Sequence, residues 1–116
     1  KHVLDFGDAN MSEQTIQPTF VMFYANWCGY CQIAMPEFDA LIVNNKNNPI
    51  NIIKINNDVN RELIDQHRIE SFPTFRLYYN GIDDLNNYVD YNEHHESVHY
   101  RTMQGFTNFL ERHILQ

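Results

Sequence analysis

Cysteine is scarce in this chain of 116 residues. There are two, three positions apart, at Cys28 and Cys31. Secreted scaffolds that depend on disulfides spread several cysteines along the chain, so that each bridge closes a long loop. In the loop-entropy model a bridge this short contributes only about 2 kcal/mol. The pair makes a poor staple, and reactivity is its expected use. Basic residues are few as well. Eight Lys and Arg against 15 Asp and Glu leave a formal net charge of −7. That balance opposes binding to polyanions, so neither nucleic acid nor an anionic membrane surface is an expected partner; its simplest effect is solubility. Apolar runs are short too, none approaching the ~20 residues of a spanning helix. No leader of basic, apolar and small residues opens the chain. Because it starts at Lys1 rather than Met, it reads as a processed or trimmed segment, and the missing leader says little about compartment.

What is present belongs to an ordinary folded domain. A hydrophobic content of 43% with 14% aromatics excludes a disordered chain. The length suits one domain, large enough to bury a core without disulfide support. Short apolar strands alternate with helical segments. Val3–Phe6 reads as a short strand and Ala9–Ile16 as a weakly amphipathic helix. Thr19–Tyr24 (TFVMFY) is apolar on both faces, as a central strand is. A helix fits from about Cys28 to Val43, with Pro36 inside it as an expected kink. Ile50–Asn56 reads as a second buried strand. Asp58 or Asn60 is placed to cap a short helix reaching about His67. Thr74–Tyr79 reads as a strand ending in the turn signal Asn80-Gly81. Phe106, Phe109, Leu110, His113 and Ile114 recur at helical spacing, with Met103 near the start.

Between them, Ile82–Glu96 is polar and aperiodic, and reads as a long loop or extended hairpin tip. The asparagines at 44, 45, 47, 48, 56 and 57 read as loop composition or genomic bias, not as a functional tract. The triplet Asn10-Met11-Ser12 fits a glycosylation acceptor, a match common by chance. The alternation predicts an α/β sheet with helices on both faces.

The cysteine pair directly follows a buried strand and opens a helix. Disulfide exchange needs a thiolate, and unpaired amides at a helix N-terminus favour the anion. Cys28 is expected at that end and more exposed. Cys31, one turn deeper, is placed to attack a mixed disulfide on Cys28 and release the partner. Gly29 and Tyr30 are expected to tune the redox poise, and Trp27 to shield one side and offer an aromatic surface. A zinc half-site is the competing reading. It requires two further ligands from His67, His94, His95 and His99, and none has the usual second-pair spacing, so neither metal nor cofactor is expected.

The block Phe23-Tyr24-Ala25-Asn26-Trp27-Cys28-Gly29-Tyr30-Cys31 resembles the isomerase-type sequence FYAPWCGHC. Pro36, Ser71-Phe72-Pro73-Thr74, and Arg101-Thr102 with Gly105-Phe106 and Phe109-Leu110 follow in matching order. Over nearly its whole length the chain is similar to the thioredoxin superfamily, and more to a catalytic domain of protein disulfide isomerase than to thioredoxin. The resemblance implies a thioredoxin fold, a central mixed sheet flanked by helices on both faces. It implies one such domain over 1–116, standing alone or cut from a larger protein. It also implies a cis Pro73 packed on the cysteines and a Phe72 backbone free to pair with an extended substrate. Arg101 matches an arginine that favours the Cys31 thiolate; the alternative is a surface arginine at a strand end.

Two positions depart from the family pattern. Met22 stands where the family has a buried acid, and Lys54 matches the lysine that faces it. Lys54 is therefore expected near the thiols without a counter-charge, favouring thiolates, while the missing acid leaves Cys31 slow to deprotonate. Tyr30 replaces the usual histidine or proline and brings no charge.

The resemblance implies an enzyme acting on protein thiols or disulfides, with a redox partner protein or glutathione completing the cycle. Its implied site is an oxidising secretory compartment such as the endoplasmic reticulum lumen, with the cytoplasm as the alternative. A second reading is a thioredoxin-like adaptor with little redox turnover.

Overall fold

The run TFVMFY forms β1 (Thr19–Tyr24), and five of its six residues are buried because both faces are covered. A computed structural model describes residues 16–91 and 101–114. Helix α1 (Gly29–Asn44) carries the chain from β1 to β2 (Asn51–Asn56), which lies parallel to it. Parallel neighbours require a crossover of this kind. After α2 (Arg61–Gln66), β3 (Thr74–Tyr78) pairs antiparallel with β1, and β4 (Tyr88–Asp90) pairs antiparallel with β3. The sheet order is β2-β1-β3-β4, and α3 (Met103–His113) follows.

Side chains alternate across the sheet with period two. Phe20, Met22, Ile52, Phe75 and Leu77 meet α1 and α3 in one apolar layer, which also holds both cysteines. Val21, Phe23, Ile53, Ile55 and Tyr78 meet α2 on the other face. Helices therefore cover both faces, in the mixed sheet of a thioredoxin fold. Phe38 and Phe106 lock α1 to α3, their rings edge to face at 5.6 Å.

Helix α1 runs through Pro36, which has no amide hydrogen for the Gln32 carbonyl. Its far end corrects one expectation. Asn45 is buried, and its side-chain amide donates to the Leu41 carbonyl at 2.9 Å while accepting from Asn48 at 2.8 Å. Asn45 and Asn48 are thus more than loop composition, because Asn45 adds a side-chain donor to a carbonyl of the last turn of α1 and Asn48 fixes that side chain. Helix α2 begins after Asn60, whose side chain donates to the Asn56 carbonyl instead of capping. It ends in a Schellman pattern: Ile69 N–H donates to the Ile64 carbonyl and Arg68 N–H to that of Asp65, with Arg68 at φ +57°.

The segment read as an aperiodic loop contains β4. Its register pairs Leu77 with Val89, and Gly81 takes φ +94° in the turn, a conformation glycine adopts without strain. The expected strand at 3–6, the glycosylation triplet at 10–12, the helix at 9–16 apart from an exposed Ile16, and 92–96 of the polar segment lie outside the described residues. Among the described residues, no helix is long and apolar enough to cross a membrane.

Candidate functional site

Where β1 ends, Ala25–Trp27 turn the chain, and the Cys28 amide donates to the Ala25 carbonyl at 3.1 Å. Cys28 is extended (φ −89°, ψ 113°) and serves as the N-cap of α1. Its sulfur accepts from the Cys31 amide at 3.2 Å, satisfying one of the open donors of the first turn. The Cys28 thiol in turn donates to the Phe72 carbonyl at 3.5 Å. Both cysteines are free thiols; Cys28 is 6% exposed and Cys31 0%. The ordering expected from the sequence holds, although neither thiol is widely open.

The wall beside Cys28 is the loop before β3. The Phe72–Pro73 peptide is cis, and the Trp27 ring stands edge-on to Phe72 at 5.9 Å. Trp27 and Tyr30 are 71% and 70% exposed. A Cβ placed on Gly29 meets nothing within 4 Å, so no steric need fixes glycine there.

Burial pushes the Cys31 thiol up to about 12, with the Cys28 sulfur adding to the rise; the Ala25 backbone and the Arg101 charge oppose it. Arg101 lies 5.9 Å from the Tyr30 ring centre and 6.0 Å from that of Phe75. It reaches the site.

Lys54 needs correcting. It is the register partner of Met22 across β1 and β2, as the family pattern has it. Yet it is not without a counter-charge, because its ammonium lies 2.8 Å from Asp39 of α1. The contact rests on proximity more than on an aligned hydrogen bond, since that carboxylate oxygen forms none. A side chain only 12% exposed carries its charge poorly without such a partner. Among the described residues, the cation that acts on Cys31 is Arg101.

Two polar groups were not foreseen. The Asn26 amide donates to Asp58 at 2.9 Å, and the Asn26 side chain accepts from Asn56 at 3.1 Å, fastening the turn before Cys28 to the end of β2. The signal was Asn26 itself, standing where FYAPWCGHC has a proline that has no amide hydrogen to give. On the other face of the sheet, buried Arg76 bonds to Asp90 at 2.7 Å, to the His67 carbonyl at 2.8 Å and to the Tyr78 hydroxyl at 3.2 Å, and stacks on Tyr88. Tyr78 also meets His67 Nδ1 at 2.6 Å. His67 thus lies across the sheet from the thiols, while His94, His95 and His99 fall outside the described residues.

A family model described as Thioredoxin matches residues 5–101. The chain is 34% identical over 92 residues to protein disulfide isomerase-like 1-2 of Oryza sativa subsp. japonica, covering 74% of this chain and 18% of that protein. It is 39% identical over 84 residues to protein disulfide-isomerase 5-2 of Arabidopsis thaliana, covering 69% and 19%. The chain thus spans about a fifth of the length of these relatives. In fold it is similar to the J-Trx1 fragment of ERdj5, with a TM-score of 0.67 at 21% identity over 84% of this chain and 41% of that one. The first thioredoxin domain of mouse protein disulfide-isomerase A4 gives 0.62 at 22% identity, over 83% and 62%.

Proposed function

Because the chain belongs to the thioredoxin family, we propose that it forms, breaks or reshuffles disulfides in protein substrates through the Cys28–Cys31 couple. The observation that carries this reading is the seat of the Cys28 sulfur: at the first turn of α1, under the Cys31 amide and beside the Phe72 carbonyl. A thiolate formed there keeps the amide hydrogen bond and the favourable end of the helix.

In the reducing direction, the Cys28 thiolate attacks one sulfur of a substrate disulfide and expels the other as a thiolate. Cys31 then attacks the mixed disulfide at Cys28, forming the Cys28–Cys31 bond and releasing the second substrate sulfur. The oxidising direction is the reverse. Electrons are exchanged with glutathione or a redox partner protein, and no cofactor takes part. Arg101 favours the Cys31 thiolate, and the exposed Trp27 and Tyr30 rings with Phe72 supply apolar contact for an unfolded segment. The protein disulfide-isomerase names of the relatives support an oxidising secretory compartment.

Two assays test the reading. Reduction of insulin and refolding of a protein with scrambled disulfides should both proceed, and both should fail with Cys28→Ser. A chain inert in both is an adaptor, and the proposal falls. Equilibration with glutathione fixes the direction: a potential near −270 mV, roughly that of thioredoxin, marks a reductase, and one near −180 mV, roughly that of the isomerase, an oxidase or isomerase.

A further inference from the structure

Met22 is fully buried in the layer that holds Cys31, and it places a thioether where the resemblance puts a carboxylate. Lys54, opposite it on β2, finds its anion on another element, 2.8 Å away at Asp39. Asp39 follows Cys31 by eight residues on one helix, about 12 Å along the axis at 1.5 Å per residue. The Lys54 ammonium is therefore drawn along α1, away from the end where the thiols sit. We propose that Asp39 is a positioning residue: it keeps the Lys54 charge off Cys31, holds that thiol in its protonated form, and so sets how fast Cys31 resolves a mixed disulfide. The proposal rests on the disulfide-exchange reading above.

The groups that bear on Cys31 come from several elements. Cys28 shares its helix, and Arg101 approaches from the segment before α3. Lys54 comes from β2 with Asp39 behind it, and Glu37 is turned to the Met103 amide at 2.7 Å. The phenols of Tyr24 and Tyr91 also border the layer. With Lys54 held by Asp39, Arg101 is the cation that pulls the Cys31 thiol down. In the resolving step the Cys31 sulfur bonds to the Cys28 sulfur and the bond from Cys28 to substrate breaks. The proton Cys31 gives up is balanced by the one the departing substrate thiolate takes, so no outside oxidant or reductant enters.

A double-mutant cycle tests this on the whole chain. The Cys31 titration is followed by its 13Cβ chemical shift, and the resolving rate by single-turnover release of a mixed disulfide. Asp39→Asn should lower the Cys31 midpoint by about one pH unit, because a barely exposed ammonium is left free to turn to the nearest incipient anion. The thiolate fraction at pH 7 then rises about tenfold while nucleophilicity falls about threefold, a net gain of roughly threefold in rate. Lys54→Met should leave the midpoint in place, and Asp39→Asn/Lys54→Met should return it to that of the unaltered chain. Loss of packing alone would not reverse in the double variant. If Asp39→Asn leaves the midpoint unmoved, or the double variant keeps the lowered value, the proposal is overturned. The shift titration needs no turnover, so a chain that exchanges no disulfides sinks the functional reading while Asp39 is still judged on its own.

Discussion

The Cys31 backbone amide donates to the Cys28 sulfur at 3.2 Å, so one hydrogen bond both caps α1 and holds the sulfur proposed to attack. Capping and reactivity therefore share a residue, and substitution separates them. Cys28→Ser and Cys28→Ala should both abolish exchange. The serine keeps an acceptor for the amide, whereas the alanine strips the cap at a cost of about 1 kcal/mol. Urea unfolding of the two variants should show that gap, and equal midpoints would remove the sulfur from the capping role.

The buried thiol gives a pH signature. Cys31 stands at about 12 in the folded chain against an ordinary 9.0. Below pH 9 the thiol is protonated in both states, and its contribution to stability is fully present. Above that the unfolded chain binds fewer protons than the folded one, so stability falls as pH rises from about 9 towards 12. The resolving rate should climb about tenfold per unit through neutral pH without levelling, since the thiolate is the nucleophile. A plateau near pH 7 in stopped-flow release would contradict this.

Met22→Glu places a carboxylate opposite Lys54 and supplies a buried proton acceptor. The resolving step should quicken at neutral pH and its pH profile should flatten, at some cost in stability from burying an acid. A profile identical to that of the unaltered chain would show that the missing acid is not what slows Cys31.

Asp90→Ala should strand the Arg76 guanidinium, whose side chain is 8% exposed. Unpaired buried charges are costly, but Asp90 is itself half exposed and screened, so the loss should be about 2 kcal/mol in a urea titration. The redox potential should not move, because this cluster lies across the sheet from the thiols.

Arg68 holds φ +57° at the residue after the α2 cap. Left-handed backbone costs a side-chain-bearing residue roughly 1–2 kcal/mol, and glycine adopts it freely. Arg68→Gly should therefore raise stability by about 1 kcal/mol with an unchanged denaturant slope.

The central parts of the fold were legible because their signals are local. TFVMFY is almost wholly apolar since β1 is covered on both faces, and its predicted bounds match those observed. The cysteine spacing, the strand before it and the helical period of α3 sit within single windows of sequence. β4 was not legible: it has three residues, lies at the sheet edge and alternates exposed with half-buried positions. Its anchor joins Arg76 to Asp90 across fourteen residues, and no local pattern encodes such a pairing. The partner of Lys54 was missed for the same reason, because Asp39 is brought to it by the packing of α1 on the sheet. Asn26 was visible as a departure from proline, but its link to Asp58 appears only when the two turns are side by side.

Complete burial of Cys31 also governs how the site meets peroxide. On the disulfide-exchange reading, an oxidant should meet Cys28, the less buried sulfur, before Cys31, and a sulfenic acid formed there would lie one turn from a sheltered thiol. Condensation of the two expels water and leaves the internal disulfide, a form that any dithiol reductant restores. The irreversible sulfinic and sulfonic acids would thereby be forestalled, and oxidative insult would return the couple to the disulfide state of the proposed exchange cycle.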